Sequence, residues 1–409
     1  MNKHRYTLRQ VLILMMIICL SICMGACSGA GDSDSAEEES AEVMNPLTGA
    51  TEEDGYDPAA ADRRIAAFVV ENSPEARPQW GMDDPEYSPD IVLHGEVEAG
   101  ITRTLWLYAD YNKLPEIIGP MRSARPPYIR FSELFDAVFI HWGMSNTKGN
   151  YLGADSVFED DEVDHIDQMT FPDNTGMYDR EGTRNVSMEH TGIVYGSKVP
   201  EALKEAGFRE EPEDYTHLDF SELAWLVSVF PAEQVQVTFS DRAAWDRTTW
   251  TYNSEDKKYH TANFQNDFAR DNLLILFDET EYIDKDNYGG GGAPLTYCDY
   301  ALGGGSGYLM SQGTVKDIEW RVEDGKLVLI DVQATKIAQE RAAEAAESEE
   351  AEADSDSDEK EEEGPIEVRA HLFPGKTWIG WASSNNGGKV EITGSESEST
   401  ESESAEAGE

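Results

Sequence analysis

Cysteine and positive charge are the two things this 409-residue chain is short of, and each shortage excludes something. Of four cysteines, Cys19, Cys23 and Cys27 fall within the first 27 residues, so Cys298 is alone in the body and no intramolecular disulfide can hold it. Stability has to come from packed cores, for which 9 Trp, 17 Tyr and 14 Phe supply large side chains. Lys and Arg number 32 against 81 Asp and Glu, a formal net charge of −49. Phosphate backbones are bound by Lys and Arg with release of counterions, so nucleic acid is excluded as a partner, and electrostatic docking on anionic lipid with it. Motifs that identify a reaction are missing too. His141, His165, Asp167 and His190 are the residues zinc would recruit, but no HExxH or similar spacing occurs. Gly143-Met144-Ser145-Asn146 is not a nucleophile elbow, and no twelve-residue acidic loop turns on a glycine as a calcium loop does. Neither a metal nor a cofactor is expected.

The longest apolar run, residues 11–22, follows Lys3, Arg5 and Arg9 and is too short to span a bilayer as a helix. It has the length of the hydrophobic region of a secretory signal. Small residues then lead into a cysteine, in Met24-Gly25-Ala26-Cys27. This arrangement resembles the lipobox of bacterial lipoproteins. The resemblance implies a signal peptide over 1–26, diacylation of Cys27, and a mature chain anchored to the cell membrane on its extracytoplasmic face. Two acyl chains are enough for stable anchoring.

Three low-complexity runs carry much of the charge. Residues 32–42, 340–363 and 396–409 hold twenty-five acids against Arg341 and Lys360, and they read as solvated, self-repelling tethers. Between them the apolar period changes. Residues 64–70 read as a buried strand, 90–98 and 101–108 as a hairpin turning at Ala99-Gly100, 135–142 as a strand, and 197–206 as a short helix closed by Gly207. After Pro212 the texture is antiparallel: 235–240, the hairpin 249–261, 272–283, and the pair 317–332 around an Asp-Gly turn, with 375–381 as the closing strand. The Gly-rich segments 289–292 and 303–307 read as loops. An α+β class follows, with a tether over 27–44, an amino-terminal domain over 45–212, and a β-rich domain over 213–393. An acidic insertion over 334–365, extruded between two strands of one sheet, interrupts the second domain, and an acidic tail over 394–409 follows it.

NPLTG at 45–49, ENSPEARPQWG at 71–81, DIVLHGEVEAGITR at 90–103 and IGPMRSARPPYI at 118–129 resemble the YerB-like lipoproteins, and FDAVFIHWG at 135–143 and GKTWI at 375–379 extend the likeness. The resemblance implies a mixed α/β sandwich followed by a β-rich region. It implies no activity.

Chemistry concentrates in residues 90–145. With Ala99-Gly100 as the tip, pairing partners sum to 199, which sets Glu96 opposite Arg103 and leaves Glu96 and Glu98 on one face. Arg103 shares its face with Ile101, Leu105 and Leu107, so it must be paired. Gly119-Pro120 and Pro126-Pro127 bracket a rigid loop presenting Arg122 and Arg125, and Arg180 and Arg184 lie in a second basic segment. Two readings stand. In one, Arg103, Arg122, Arg125 and Arg180 form a preorganised clamp for an anionic cell-envelope ligand. In the other, the arginines neutralise Glu96, Glu98, Asp136 or Asp90. An envelope hydrolase or transferase using Glu96 or Glu98 with His141 as acid-base residues is the enzymatic alternative. Oligomeric state is not legible.

Overall fold

A computed structural model describes residues 42–98, 100–225, 230–285, 295–352 and 366–394. The leader, Cys27, Ala99, the glycine run 289–292, the distal half of the acidic insertion and the tail beyond 394 lie outside the described residues.

Among the described residues, twenty strands and four α-helices follow in chain order. Strands β1 (Ala66–Glu71), β2 (Ile91–Glu98), β3 (Ile101–Tyr108) and β4 (Ile117–Ile118) precede helix α1 (Pro126–Glu133). Then come β5 (Val138–His141), α2 (Ala154–Asp160), β6 (His165–Asp167), β7 (Tyr178–Arg180), β8 (Gly192–Tyr195) and α3 (Val199–Ala206). The remainder is almost all strand: β9 (Gln234–Thr238), β10 (Thr248–Asn253), β11 (Lys258–Thr261), β12 (Phe268–Arg270), β13 (Asn272–Asp278), β14 (Thr280–Lys285), β15 (Leu295–Tyr300), β16 (Gly305–Ser311), β17 (Thr314–Glu323) and β18 (Lys326–Asp331). Helix α4 (Val332–Glu352), β19 (Thr377–Ser383) and β20 (Lys389–Thr393) close the described chain.

A mixed twelve-stranded sheet runs in the order β18-β17-β16-β13-β19-β2-β3-β1-β5-β6, with β14 and β15 attached through β2. Both faces are covered over its centre, so β1, β2, β3, β13 and β19 are buried nearly throughout, whereas β17 towards one edge alternates in exposure. Ala67, Val69, Leu105, Leu107, Leu274 and Leu276 enter one core with Tyr128, Phe131 and Phe135 of the α1 region. Phe68, Val70, Trp106, Tyr108, Leu273 and Ile275 enter a second core beneath the five-stranded sheet β12-β11-β10-β9-β20. Sequence from both sides of residue 213 builds the large sheet, because β19 lies parallel to β13 on one side and to β2 on the other.

The α+β class read from the sequence is the observed one, but several local expectations change. Residues 375–381 do not supply the closing strand, since β20 follows them. As part of β19 they form a central strand, and Trp378 and Trp381 are fully buried. The run 272–283 breaks at Glu279 into β13 and β14, which pair with different strands. Residues 305–307 are strand rather than loop: a Cβ at Gly305 or Gly307 would stand 2.4 Å from the carbonyl oxygens of Phe277 or Ile275, so glycine admits the close pairing. Pro126-Pro127 opens α1 instead of bracketing a loop, since proline suits a first helical turn that needs no backbone donor. The insertion starts on a docked helix: Thr335 Oγ1 accepts from Val368 N at 2.9 Å, and Gln339 Nε2 donates to Ile366 O at 3.0 Å.

Candidate functional site

Three parallel strands, β1, β5 and β6, end side by side at Glu71, His141 and Asp167. In parallel sheets the crevice beyond the carboxyl ends is where ligands bind, because loops and backbone dipoles converge there. The arginine motif crosses this end as an extended segment. Arg122 N donates to Val69 O at 3.0 Å, Trp142 N to Arg122 O at 3.0 Å, and Ala124 N to Gly143 O at 2.9 Å. Side chains alternate along an extended chain, so Arg122 and Arg125, three residues apart, leave it in opposite directions.

Arg125 goes inward. It is buried, donates through Nε to Glu98 Oε1 at 2.9 Å and forms an ion pair with the same oxygen through Nη2. Arg103, also buried, reaches Glu98 Oε1 at 3.3 Å and donates to Ser123 O. Two guanidinium groups thus share one carboxylate. Burial alone would raise Glu98, but the Arg103 and Arg125 charges outweigh it and hold its carboxyl down at about 2. Burial, joined by the charge of Arg125, brings Arg103 down to about 9.

The expected pairing of Glu96 with Arg103 is corrected by a bulge between Glu96 and Glu98. Glu98 does oppose Ile101, but beyond the bulge partners sum to 198, so Gly95 faces Arg103 and Glu96 faces Thr102. The two glutamates consequently meet different neighbours. Glu96 Oε2 accepts from Ser240 Oγ at 2.5 Å and Tyr282 Oη at 2.8 Å, while Oε1 accepts from Gly100 N at 2.7 Å. His141 is engaged at both ring nitrogens, with Gly143 O at 2.7 Å and His165 Nδ1 at 2.9 Å. Burial lowers it to about 4, so it is neutral near pH 7. Glu96, Glu98 and His141 do not converge, and acid-base chemistry needs a group free to reach substrate. Among the described residues no three His, Cys, Asp or Glu side chains are placed to hold a metal ion.

Arg122 goes outward. It lines a cavity of about 590 Å3 together with Arg180, Asp167, Glu189, Trp142 and the methionines Met121, Met144 and Met169. Its buried Nε faces Glu71 Oε1 at 3.4 Å and its Nη1 faces Glu189 Oε2 at 3.5 Å, both long contacts. Arg180 stacks over Trp142, 4.4 Å from ring centre to guanidinium carbon, and donates to Met188 O. Gly192 makes room for that ring, since a Cβ there would stand 2.7 Å from it. Asp167 is buried, and its Oδ1 caps the turn after β5 and β6 by accepting from Gly143 N at 2.6 Å and Met169 N at 3.0 Å. His190 Nδ1 lies 2.9 Å from Glu71, the carboxylate beside Arg122. Arg184 lies elsewhere, stacked 3.7 Å over Trp80 and donating to Ala76 O. Of the four arginines expected to act together, the structure brings Arg122 and Arg180 to one cavity and pairs Arg103 with Arg125 behind it.

Sequence reasoning did not single out Glu71, Trp142, Glu189 or the three methionines as site residues. Glu71 carried a usable signal: it is the acid that ends an otherwise apolar strand. The methionines carried none, because thioether side chains fill cores as readily as they line cavities.

A two-part α+β fold, built on a sheet that both halves share, defines the class. The chain belongs to the DUF3048 family: residues 47–209 match the family described as "Protein of unknown function (DUF3048) N-terminal domain", and residues 235–341 match its C-terminal domain. It is similar to the Bacillus subtilis protein named "Putative lipoprotein YerB", 24% identical over 305 residues that cover 72% of this chain and 83% of that one. The crystal structure of YerB from Bacillus subtilis superimposes with a TM-score of 0.60 at 22% identity, over 86% of this chain and all of that one, which establishes a common fold.

Proposed function

We propose that this protein is a lipid-anchored, extracytoplasmic binding module that captures an anionic cell-envelope ligand in the cavity at the carboxyl ends of β1, β5 and β6. Cys27, at the end of a lipobox-like segment, is the anchor. The name of the Bacillus subtilis relative agrees with that reading. One observation carries the ligand half of the proposal: two guanidinium groups, Arg122 and Arg180, line one cavity, and Arg122 is engaged there only by long contacts, its Nε 3.4 Å from Glu71 and its Nη1 3.5 Å from Glu189. A planar fork with donors to spare, stiffened by an aromatic ring, suits a carboxylate or phosphate. Arg103 and Arg125 act behind it, fixing the segment that presents Arg122.

Calorimetric titration of the full-length protein in detergent micelles with solubilised cell-wall fragments tests the reading. Binding that weakens as salt rises, and that is lost in the double variant Arg122→Ala, Arg180→Ala, is the expected result. Absence of binding at any salt concentration would remove it. For the anchor, metabolic labelling with a fatty acid should mark the wild type and leave Cys27→Ala unlabelled.

A further inference from the structure

We infer that the ligand of this cavity is a zwitterion, with an ammonium group held at Asp167 and an anionic group held at Arg122 and Arg180, and not a simple polyanion. The inference rests on the reading above and narrows its ligand class. The lining is balanced in sign: Arg122 and Arg180 are met by Asp167 and Glu189. A polyanion threading this space would meet two carboxylates and lose much of what the arginines give. Asp167 is the decisive residue. It is 3% exposed, and both hydrogen bonds to its side chain fall on Oδ1. Oδ2 accepts none among the described residues, yet it is not one of the buried atoms sealed away without a partner. The carboxylate is therefore fixed in place by two backbone amides and keeps one oxygen facing open space, which at this residue is the cavity. A carboxylate held this way needs no reorganisation to receive a cation.

The wall between the two poles is apolar and adaptable. Met121 is buried at its inner side, Met169 is 67% exposed at its mouth, and Trp142 forms a flat face stiffened by Arg180. Thioether side chains with several rotatable bonds accept differently shaped apolar groups. A short peptide with free ends has the matching chemistry: an ammonium, a carboxylate and small apolar side chains between them.

The experiment titrates the full-length protein in detergent micelles with alanine peptides of one to four residues, each free, N-acetylated and C-amidated, and with inorganic phosphate. The best free peptide should bind about tenfold or more tightly than either capped form, the loss expected when a charge-assisted hydrogen bond is removed at either pole. Asp167→Asn keeps an oxygen for the amides of Gly143 and Met169. It should erase the penalty of acetylation while leaving that of amidation. If the acetylated peptide or inorganic phosphate binds as tightly as the free peptide, the cavity is a plain anion site; the zwitterion inference then fails and the proposed function stands. If wall fragments bind and no alanine peptide does, the inference also fails alone. If neither binds, both fall.

Discussion

Arg122 and Arg125 stand three residues apart in one motif and end in opposite surroundings. Arg125 is buried with Arg103 around Glu98, two cations on one carboxylate, and the group serves the fold. Arg122 is 25% exposed, touches Glu71 and Glu189 only at 3.4 and 3.5 Å, and faces open space. The difference arises from backbone geometry, because an extended segment sends residues of opposite parity to opposite sides. A basic motif can therefore be half scaffold and half site, and the two halves answer mutation differently.

The largest effect is expected on the closed side. Removing the Glu98 carboxylate leaves two buried guanidinium charges facing each other, so Glu98→Ala should destabilise by about 3 to 5 kcal/mol, read from urea unfolding. A smaller loss would mean that water reaches the triad and that the two sides differ less than their geometry indicates.

The pH dependence sharpens the same comparison. Glu98 titrates at about 2 in the folded protein against an ordinary 4.5, so its contribution is present above 4.5 and lost as pH falls toward 2. That shift corresponds to about 3 kcal/mol. His141, lowered by burial to about 4 from 6.5, adds an earlier loss: the unfolded chain takes up its proton first, so stability declines between pH 6.5 and 4. Melting curves across pH should show both windows. Glu98→Gln should abolish the lower one and keep the upper.

On the open side, Arg122→Ala with Arg180→Ala should change stability by no more than about 1 kcal/mol while removing ligand binding. A double variant that unfolds would place Arg122 in the scaffold with Arg125. The smallest effect belongs to the acidic insertion. Replacing residues 343–363 by a Gly-Ser linker spares the contacts of Thr335 and Gln339 and should shift stability by at most about 0.5 kcal/mol.

Much of the scaffold was legible in the sequence because its signals are local. The 91–98 and 101–108 hairpin, the strand ending at His141, the helix closed by Gly207 at φ 73° and the turn at Asp324-Gly325, where both residues have positive φ, each follow from periodicity or from a residue suited to its backbone angle. What escaped depends on pairing across the chain. That Thr377–Ser383 would lie between β13 and β2 is written in no local pattern. The bulge at Val97 set Arg103 opposite Gly95 instead of Glu96, because one inserted residue resets every partner beyond it. The cavity was half legible: Arg122 and Arg180 were marked by residue type and by their loops. Asp167 gains its meaning only from a three-residue strand too short to signal itself.

The most direct measurement of the closed and open sides is arginine labelling in the folded, full-length protein with phenylglyoxal, followed by peptide mass spectrometry. Arg122 and Arg180 should be modified under native conditions and protected by the bound ligand, whereas Arg103 and Arg125 should react only after denaturant is added. Native labelling of Arg125 at the rate of Arg122 would contradict the division of the motif on which the proposed function depends.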